Sequence, residues 1–199
     1  MKGLGFKIQG RDKSFNKNVE RLKKNKIISP SAVIGFWPAN SDGDDILIFK
    51  DNYLIHSKVI PIGSRLVTKD LAAYLQTSIA EAERVKIEHV SAFSDFADDS
   101  KVFEVQIPND DLKKNVNEKE ISKIVELRFE DVIDQIEVQL KNIGKSITDF
   151  KSGIKLSGGG SKIRNLDLLF KKHFADVPPH TPHETKAKFA WFYAKGRLA

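Results

Sequence analysis

Between residues 118 and 142 the apolar side chains Ile121, Ile124, Val125, Phe129, Val132, Ile133, Ile136 and Leu140 recur every three or four positions. That period predicts one long amphipathic helix, ended by Gly144. At 1.5 Å per residue such a helix runs roughly 35 Å, and its single apolar face needs another layer of structure to cover it. The upstream sequence supplies candidates. Residues 32–37, 46–49 and 53–60 are short β-rich runs, with Asp51-Asn52 as a hairpin turn between the last two. Residues 66–76 read as a helix with Leu71 and Leu75 one turn apart. Ser78 then reads as an N-cap, because Glu81 three residues on makes a capping-box pattern that opens a second helix to about residue 90. A polar, acidic loop follows, then residues 102–107 alternate like an edge strand and stop at Pro108.

Beyond the long helix, residues 153–166 read Gly-Ile-Lys-Leu-Ser-Gly-Gly-Gly-Ser-Lys-Ile-Arg-Asn-Leu. A short apolar strand thus runs into three glycines and then into a helix striped by Ile163, Leu166, Leu169 and Phe170. Glycines let the backbone approach a ligand without Cβ obstruction, and a helix start offers unpaired N–H groups. The pattern suits a nucleotide cradle; it equally suits an ordinary tight turn between strand and helix.

The chain has no cysteine, which removes disulfides and thiolate zinc sites and points to a reducing cytoplasm. No apolar run is long enough to span a bilayer, and the first residues lack the core of a signal peptide. The net charge is +6, with Lys and Arg concentrated in residues 2–26 and again in 162–197, while the middle carries acids such as Asp95, Asp98, Asp99, Asp110 and Asp111. Basic ends suit an acidic protein or an anionic lipid surface. Nucleic acid is not expected, because neither a stacking platform nor a helix-turn-helix accompanies the charge. Residues 184–199 bring Phe189, Phe192 and Tyr193 onto one face among Lys186, Lys188, Lys195 and Arg197, a pattern that fits a membrane-surface helix or a terminal helix packed on the core. The histidines are scattered, no Ser-His-Asp set is present, and no metal ligands are assigned.

Several of these segments, in order, resemble the second domain of FtsA, the actin-like ATPase that tethers the bacterial division ring to the membrane. Asp45-Ile46-Leu47-Ile48-Phe49 with the run 55–63 resembles the hairpin after the family's second phosphate loop, and Val67-Thr68-Lys69-Asp70-Leu71-Ala72 the helix start that follows. Ala82-Glu83-Arg84-Val85-Lys86 resembles the helix bearing an acid and a lysine near the nucleotide. Glu126-Leu127-Arg128-Phe129-Glu130 resembles the long helix of the smaller subdomain, and 153–166 the adenosine motif. The resemblance covers residues 45–179.

It implies an α/β fold: an actin/ribonuclease-H-like mixed sheet of three antiparallel strands and a parallel strand at 154–157, with a small α+β insertion lobe at about 90–150 and a C-terminal helix. Residues 1–30 would be a basic extension, 31–179 the actin-like domain, and 180–199 a proline-rich linker and basic aromatic helix. It further implies that Gly158, Gly159, Gly160 and Ser161 pass close to ribose and purine, that Glu83 accepts from nucleoside hydroxyls, and that Lys86 donates. Gly43 and Asp45 would stand on the phosphate side, with ATP or ADP and magnesium as cofactors. Arg128 is matched to the surface that receives the C-terminal tail of the tubulin-like partner FtsZ. The resemblance places the protein in the cytoplasm, peripheral at the inner face of the cell membrane.

Departures from the family pattern shape the expected activity. Where the family has a phosphate loop of the form Asp-Ile-Gly-Gly-Gly-Thr-Thr-Asp, this chain has Pro38-Ala39-Asn40-Ser41-Asp42-Gly43-Asp44-Asp45. One glycine remains, both threonine hydroxyls are gone, and extra carboxylates stand where β- and γ-phosphates would lie, so tight triphosphate binding is not expected. Asp42, Asp44 and Asp45 read as a magnesium-bridged site or as an acidic surface turn. The first domain of an actin-like ATPase, with its other phosphate loop, is not found in these residues, so no turnover is expected and no catalytic residue is assigned. Residues 32–46 also resemble a segment of the activation domain of cobalamin-dependent methionine synthase, which binds S-adenosylmethionine. Together the two resemblances suggest a mosaic, designed or generated chain. The expected function is a division-protein-like interaction module with a partial adenine-nucleotide site. The alternative is a binding or inhibitor protein, antitoxin-like or anti-defence, that acts on an acidic partner without nucleotide.

Overall fold

The computed structural model describes residues 31–36, 43–51, 53–108, 113–150, 153–157 and 159–174. The expected basic extension 1–30, Asp42, Gly158 and the terminal segment from 180 lie outside the described residues.

Four strands form one mixed sheet in the order β3-β2-β1-β6. Strand β1 (Ser31–Phe36) runs antiparallel to β2 (Asp44–Lys50), pairing from Ser31↔Lys50 to Phe36↔Asp45. Strand β3 (Tyr53–Ile60) returns antiparallel on the far side of β2, through a turn in which Asp51 adopts φ 50°. On its other side β1 pairs in parallel with β6 (Ile154–Ser157), from Val33↔Ile154 to Phe36↔Ser157. This is the expected sheet. Strand β1, read from sequence as a foreign segment, is an interior strand, paired on both edges by strands of the same domain.

Helix α1 (Ser64–Leu75), helix α2 (Ile79–Glu88) and the long helix α3 (Glu118–Asn142) build the layer against the sheet. The stripe of α3 is buried through Ile121, Val125, Phe129, Val132, Ile133, Ile136 and Leu140. It shares one core with Ile46 and Ile48 of β2, Ile60 of β3, Val67 and Leu71 of α1, and Val85 of α2. A hydrogen bond between His56 Nε2 on β3 and Gln139 Oε1 on α3, at 3.1 Å, fastens helix to sheet. Leu47 and Phe49 alternate with Ile46 and Ile48, so they face the other side of the sheet, and they are also buried. Covering both faces of β2 is why its sequence is an unbroken apolar run.

The insertion lobe pairs β4 (Val102–Gln106) with β5 (Lys113–Asn117). The sequence reading did not find β5, because Lys-Lys-Asn-Val-Asn carries one buried apolar side chain, Val116. The outer edge of β4 is satisfied by α2 and by Thr77, two residues before it. Arg84 Nη2 donates to the Glu104 carbonyl at 3.3 Å, Thr77 Oγ1 to the Gln106 carbonyl, and the Gln106 N–H donates to Glu81 Oε1 at 3.3 Å. Glu81 therefore does not complete the expected capping box. The Ser78 hydroxyl accepts from the Glu81 N–H at 3.1 Å, but the Glu81 carboxylate is turned to Arg84 and β4.

A second correction concerns the glycine motif. The last helix, α4 (Leu166–His173), does not start at the glycines. A single tight turn, Gly160–Lys162, intervenes, and Asn165 before the helix is left-handed at φ 63°. Ile163, expected in the helical stripe, precedes it. The cause is tertiary: the Arg164 carbonyl accepts from the Ala92 N–H at 2.8 Å and Arg164 bridges Ser91 in parallel, which holds this stretch out of the helix. The positive end of the α4 dipole is thus several residues beyond the glycine turn, and its field falls off within the first turn.

Candidate functional site

Two pieces of chain meet beside the glycine turn. The parallel bridge between Ser91 and Arg164 joins the residues just after α2 to those just after the turn, and Asn165 Nδ2 donates to Ser91 Oγ at 3.0 Å. Gly159 is half-buried in right-handed helical geometry, Gly160 is buried at the start of the turn, and Ser161 is half-buried.

On α2, Glu83 and Lys86 lie one turn apart, but their surroundings differ. Glu83 keeps 30% of its side-chain exposure; Lys86 keeps 4%. The Lys86 ammonium donates to the Ser64 carbonyl (3.2 Å), Ser64 Oγ (2.9 Å) and Thr68 Oγ1 (2.8 Å), and pairs with Glu83 Oε2 at 2.7 Å. An ammonium has three protons, so these acceptors from α1 and α2 saturate it. Lys86 was expected to donate to a nucleoside. In the structure its ammonium lies among Ser64, Thr68 and Glu83, because burial makes an unpaired charge too costly. Thr68 Oγ1, itself buried, also donates to Glu83 Oε2. Both contacts to Glu83 use Oε2; Oε1 takes no part in them. Ser64 and Thr68 were missed as site residues. The available signal was a polar pair at i, i+4 set among the apolar positions Val67, Leu71 and Leu75.

A second polar node lies behind the turn. Glu118, the first residue of α3, is 1% exposed and pairs with Lys101 Nζ at 2.8 Å and with the Arg164 guanidinium. Burial alone would raise its pKa, but the hydrogen bond from Lys101 and the charge of Arg164 outweigh that and hold it below the ordinary carboxylate value. Beside it His89 stacks on Phe103 with ring centroids 4.0 Å apart, and its Nδ1 is buried without a partner. Burial first, then the charges of Lys101 and Arg84, push its pKa down, which keeps the ring neutral at pH 7.

On the phosphate side, Asp44 is 2% exposed and Asp45 half-buried. A Cβ on Gly43 would fall 2.7 Å from the Ile60 carbonyl oxygen, beside the Asp44↔Ile60 pair. Gly43 therefore has a packing reason independent of any phosphate: only a bare Cα lets β2 and β3 close there. Gly43→Ala is expected to cost roughly 1 to 2 kcal/mol of overpacking, read as a lower urea midpoint; an unchanged midpoint would refute the steric reading. Among the described residues no group of three or more His, Asp or Glu side chains could hold a metal ion. Asp44 is buried at the start of β2, and Asp42 lies outside the described residues.

Arg128, on α3, does not stand free. Its Nε donates to Asp70 Oδ2 of α1 at 2.7 Å and its Nη1 to Asp131 Oδ2 at 2.8 Å, and the Asp70 hydrogen bond raises its pKa. Among the described residues no helix is long and apolar enough to cross a membrane.

A mixed sheet backed by these helices, with an inserted lobe and a glycine turn bound to the end of α2, is the fold of the actin-like ATPases. MreB5 of Spiroplasma citri bound to AMPPNP superposes with a TM-score of 0.62 at 18% identity, covering 84% of this chain and 59% of that one. The MamK double helical filament gives 0.56 at 20% identity, covering 76% and 48%. Within that class the chain belongs to the FtsA family: the family model "Cell division protein FtsA" matches residues 44–192. FtsA of Bacillus subtilis strain 168 is 35% identical over 114 residues, 57% of this chain and 26% of that protein. FtsA of Neisseria meningitidis serogroup B is 29% identical over 137 residues, 69% of this chain and 33% of that protein. The chain thus spans about a quarter to a third of the curated relatives it matches. The family match lends no support to a separate origin for residues 32–46, nor to a mosaic or designed chain.

Proposed function

We propose that this chain is an FtsA-like cell-division interaction module that holds an adenine nucleotide and does not hydrolyse it alone. The observation that carries this reading is the Glu83 carboxylate, held at one oxygen by Lys86 and Thr68 and partly open to solvent, on the helix that leads to Ser91, which pairs with Arg164 just after the glycine turn. A fixed carboxylate suits the hydroxyls of a ribose, and a glycine-lined backbone suits the face of a purine. Structures of MreB5 with AMPPNP and with ADP share the fold and support an adenine ligand. The altered phosphate segment supports weak discrimination between ATP and ADP and no turnover, since it keeps one glycine and neither threonine of the family loop to hold charge developing on a transferred phosphoryl group.

The partner side of the proposal is an FtsZ-like C-terminal peptide, or another acidic segment, received on the lobe near Arg128. The ion pairs of Arg128 with Asp70 and Asp131 mean that such a peptide must compete with two internal carboxylates, which favours modest, salt-sensitive affinity. Residues 184–199 are the proposed contact with the membrane surface.

Titration calorimetry of the 199-residue chain with ATP and ADP tests the nucleotide reading. Saturable heat is expected for both at about millimolar affinity or better, near −4 kcal/mol, with phosphate release no faster than the buffer blank. Absence of saturable heat at millimolar ligand would end the nucleotide reading. Turnover above the blank would end the no-hydrolysis part.

A further inference from the structure

We propose that Thr68 is a positioning residue that gives this nucleotide site its preference for ribose over deoxyribose; the inference rests on the adenine-nucleotide reading above. Thr68 lies on α1, a different helix from Glu83, and 1% of it is exposed, so it touches no ligand itself. Its hydroxyl has one proton and two lone pairs. Lys86 Nζ donates into that oxygen at 2.8 Å, and the proton goes to Glu83 Oε2, with the Ser64 carbonyl at 3.2 Å as the competing acceptor. Accepting from an ammonium polarises the O–H and strengthens its bond to a carboxylate.

The consequence is directional. Glu83 is partly exposed and, left to Lys86 alone, would pivot about a single ion pair. With Thr68 as a second anchor on the same oxygen, the carboxylate is held at two points, and Oε1 is the oxygen that Lys86 and Thr68 leave to a ligand. A vicinal diol is the sugar group such a fixed acceptor reads, and a sugar lacking the 2′-hydroxyl leaves it half-used. Lys86 alone is a poorer probe, because removing a buried, saturated ammonium also leaves Ser64 and Glu83 without their donor. Thr68→Val removes only the hydroxyl at nearly the same volume, and Lys86 retains Ser64 and Glu83 as partners.

The experiment compares the dissociation constants of ATP and 2′-deoxy-ATP on each protein sample, so that the folded fraction cancels in the ratio. The unsubstituted chain is expected to prefer ATP by roughly fivefold or more. Thr68→Val should bring the ratio close to one mainly by weakening ATP, and Thr68→Ser, which keeps the hydroxyl, should restore it. A Thr68→Val protein that binds nucleotide with the ratio unchanged overturns the role of Thr68 while leaving the nucleotide site standing. So does an unsubstituted chain that binds both sugars equally. An unsubstituted chain that binds neither overturns both.

Discussion

Phe129→Ala should lower the unfolding free energy by about 3–5 kcal/mol, a fifth or more of the roughly 5–15 kcal/mol that holds a typical domain together. Phe129 sits near the middle of α3 with 1% of its surface exposed, in the core shared by the sheet and by α1 and α2. Truncation there removes a large ring and leaves a cavity that residues on three elements would have to move to fill. Leu127 is two positions away on the same helix but 63% exposed, so Leu127→Ala should change stability by no more than about 0.5 kcal/mol. Urea unfolding followed by circular dichroism separates the two. A Phe129→Ala loss under about 1 kcal/mol would mean that α3 does not pack on the sheet as described. A loss of this size should also weaken the proposed nucleotide binding near physiological temperature, since Glu83 and its partners sit on helices that this core holds in place.

The second large effect belongs to Glu118. Glu118→Gln keeps the side-chain volume but removes the charge that pairs with Lys101 and Arg164, and is expected to cost about 1.5–3 kcal/mol at pH 7, the range for hydrogen bonds to charged groups. Lys101 and Arg164 retain 40% and 48% exposure, so once released they can turn to water, which keeps the cost below that of a fully buried pair. The pH dependence has a definite sign. The folded-state pKa of Glu118 lies below its ordinary value of 4.5. Its stabilising share is therefore fully present above that value and is lost as pH falls through the lower folded one. The difference between the unsubstituted chain and Glu118→Gln should be largest near neutrality and shrink below about pH 4. A gap that stays constant from pH 7 to pH 3 would show that Glu118 acts through shape rather than charge. Because Arg164 follows the glycine turn and Lys101 precedes β4, the same substitution should loosen the lobe and the glycine turn together.

How far the sequence could be read depends on which properties are local. The 3.6-residue period of α3 is a property of consecutive residues, and its bounds at Glu118–Asn142 are those the pattern predicts. The strand runs and the Ser78 cap were legible for the same reason, as was the ordered set of motifs that placed the chain among FtsA relatives. Strand β5 was not legible, because its single buried residue, Val116, leaves no alternation to detect; it is a strand only because β4 lies beside it. The glycine turn shows the limit most clearly. Its residue types were visible, but whether they open directly into a helix was settled by Ser91 and Ala92, more than sixty residues upstream.

The candidate site divides along the same line. The resemblance to FtsA named Glu83 and Lys86, and it marked the altered phosphate segment. Burial then gave Lys86 its partners within the domain. Nothing in the order of residues says that Ser64 and Thr68 of α1 close over Lys86, or that Glu118 is sealed between Lys101 and Arg164. Helical period, capping and glycine content are short-range consequences of chain geometry, so the sequence by itself determined the elements and the family. Which charges are withdrawn from water, and which partners then neutralise them, depends on elements distant in the chain being pressed together, and that only the tertiary structure decided.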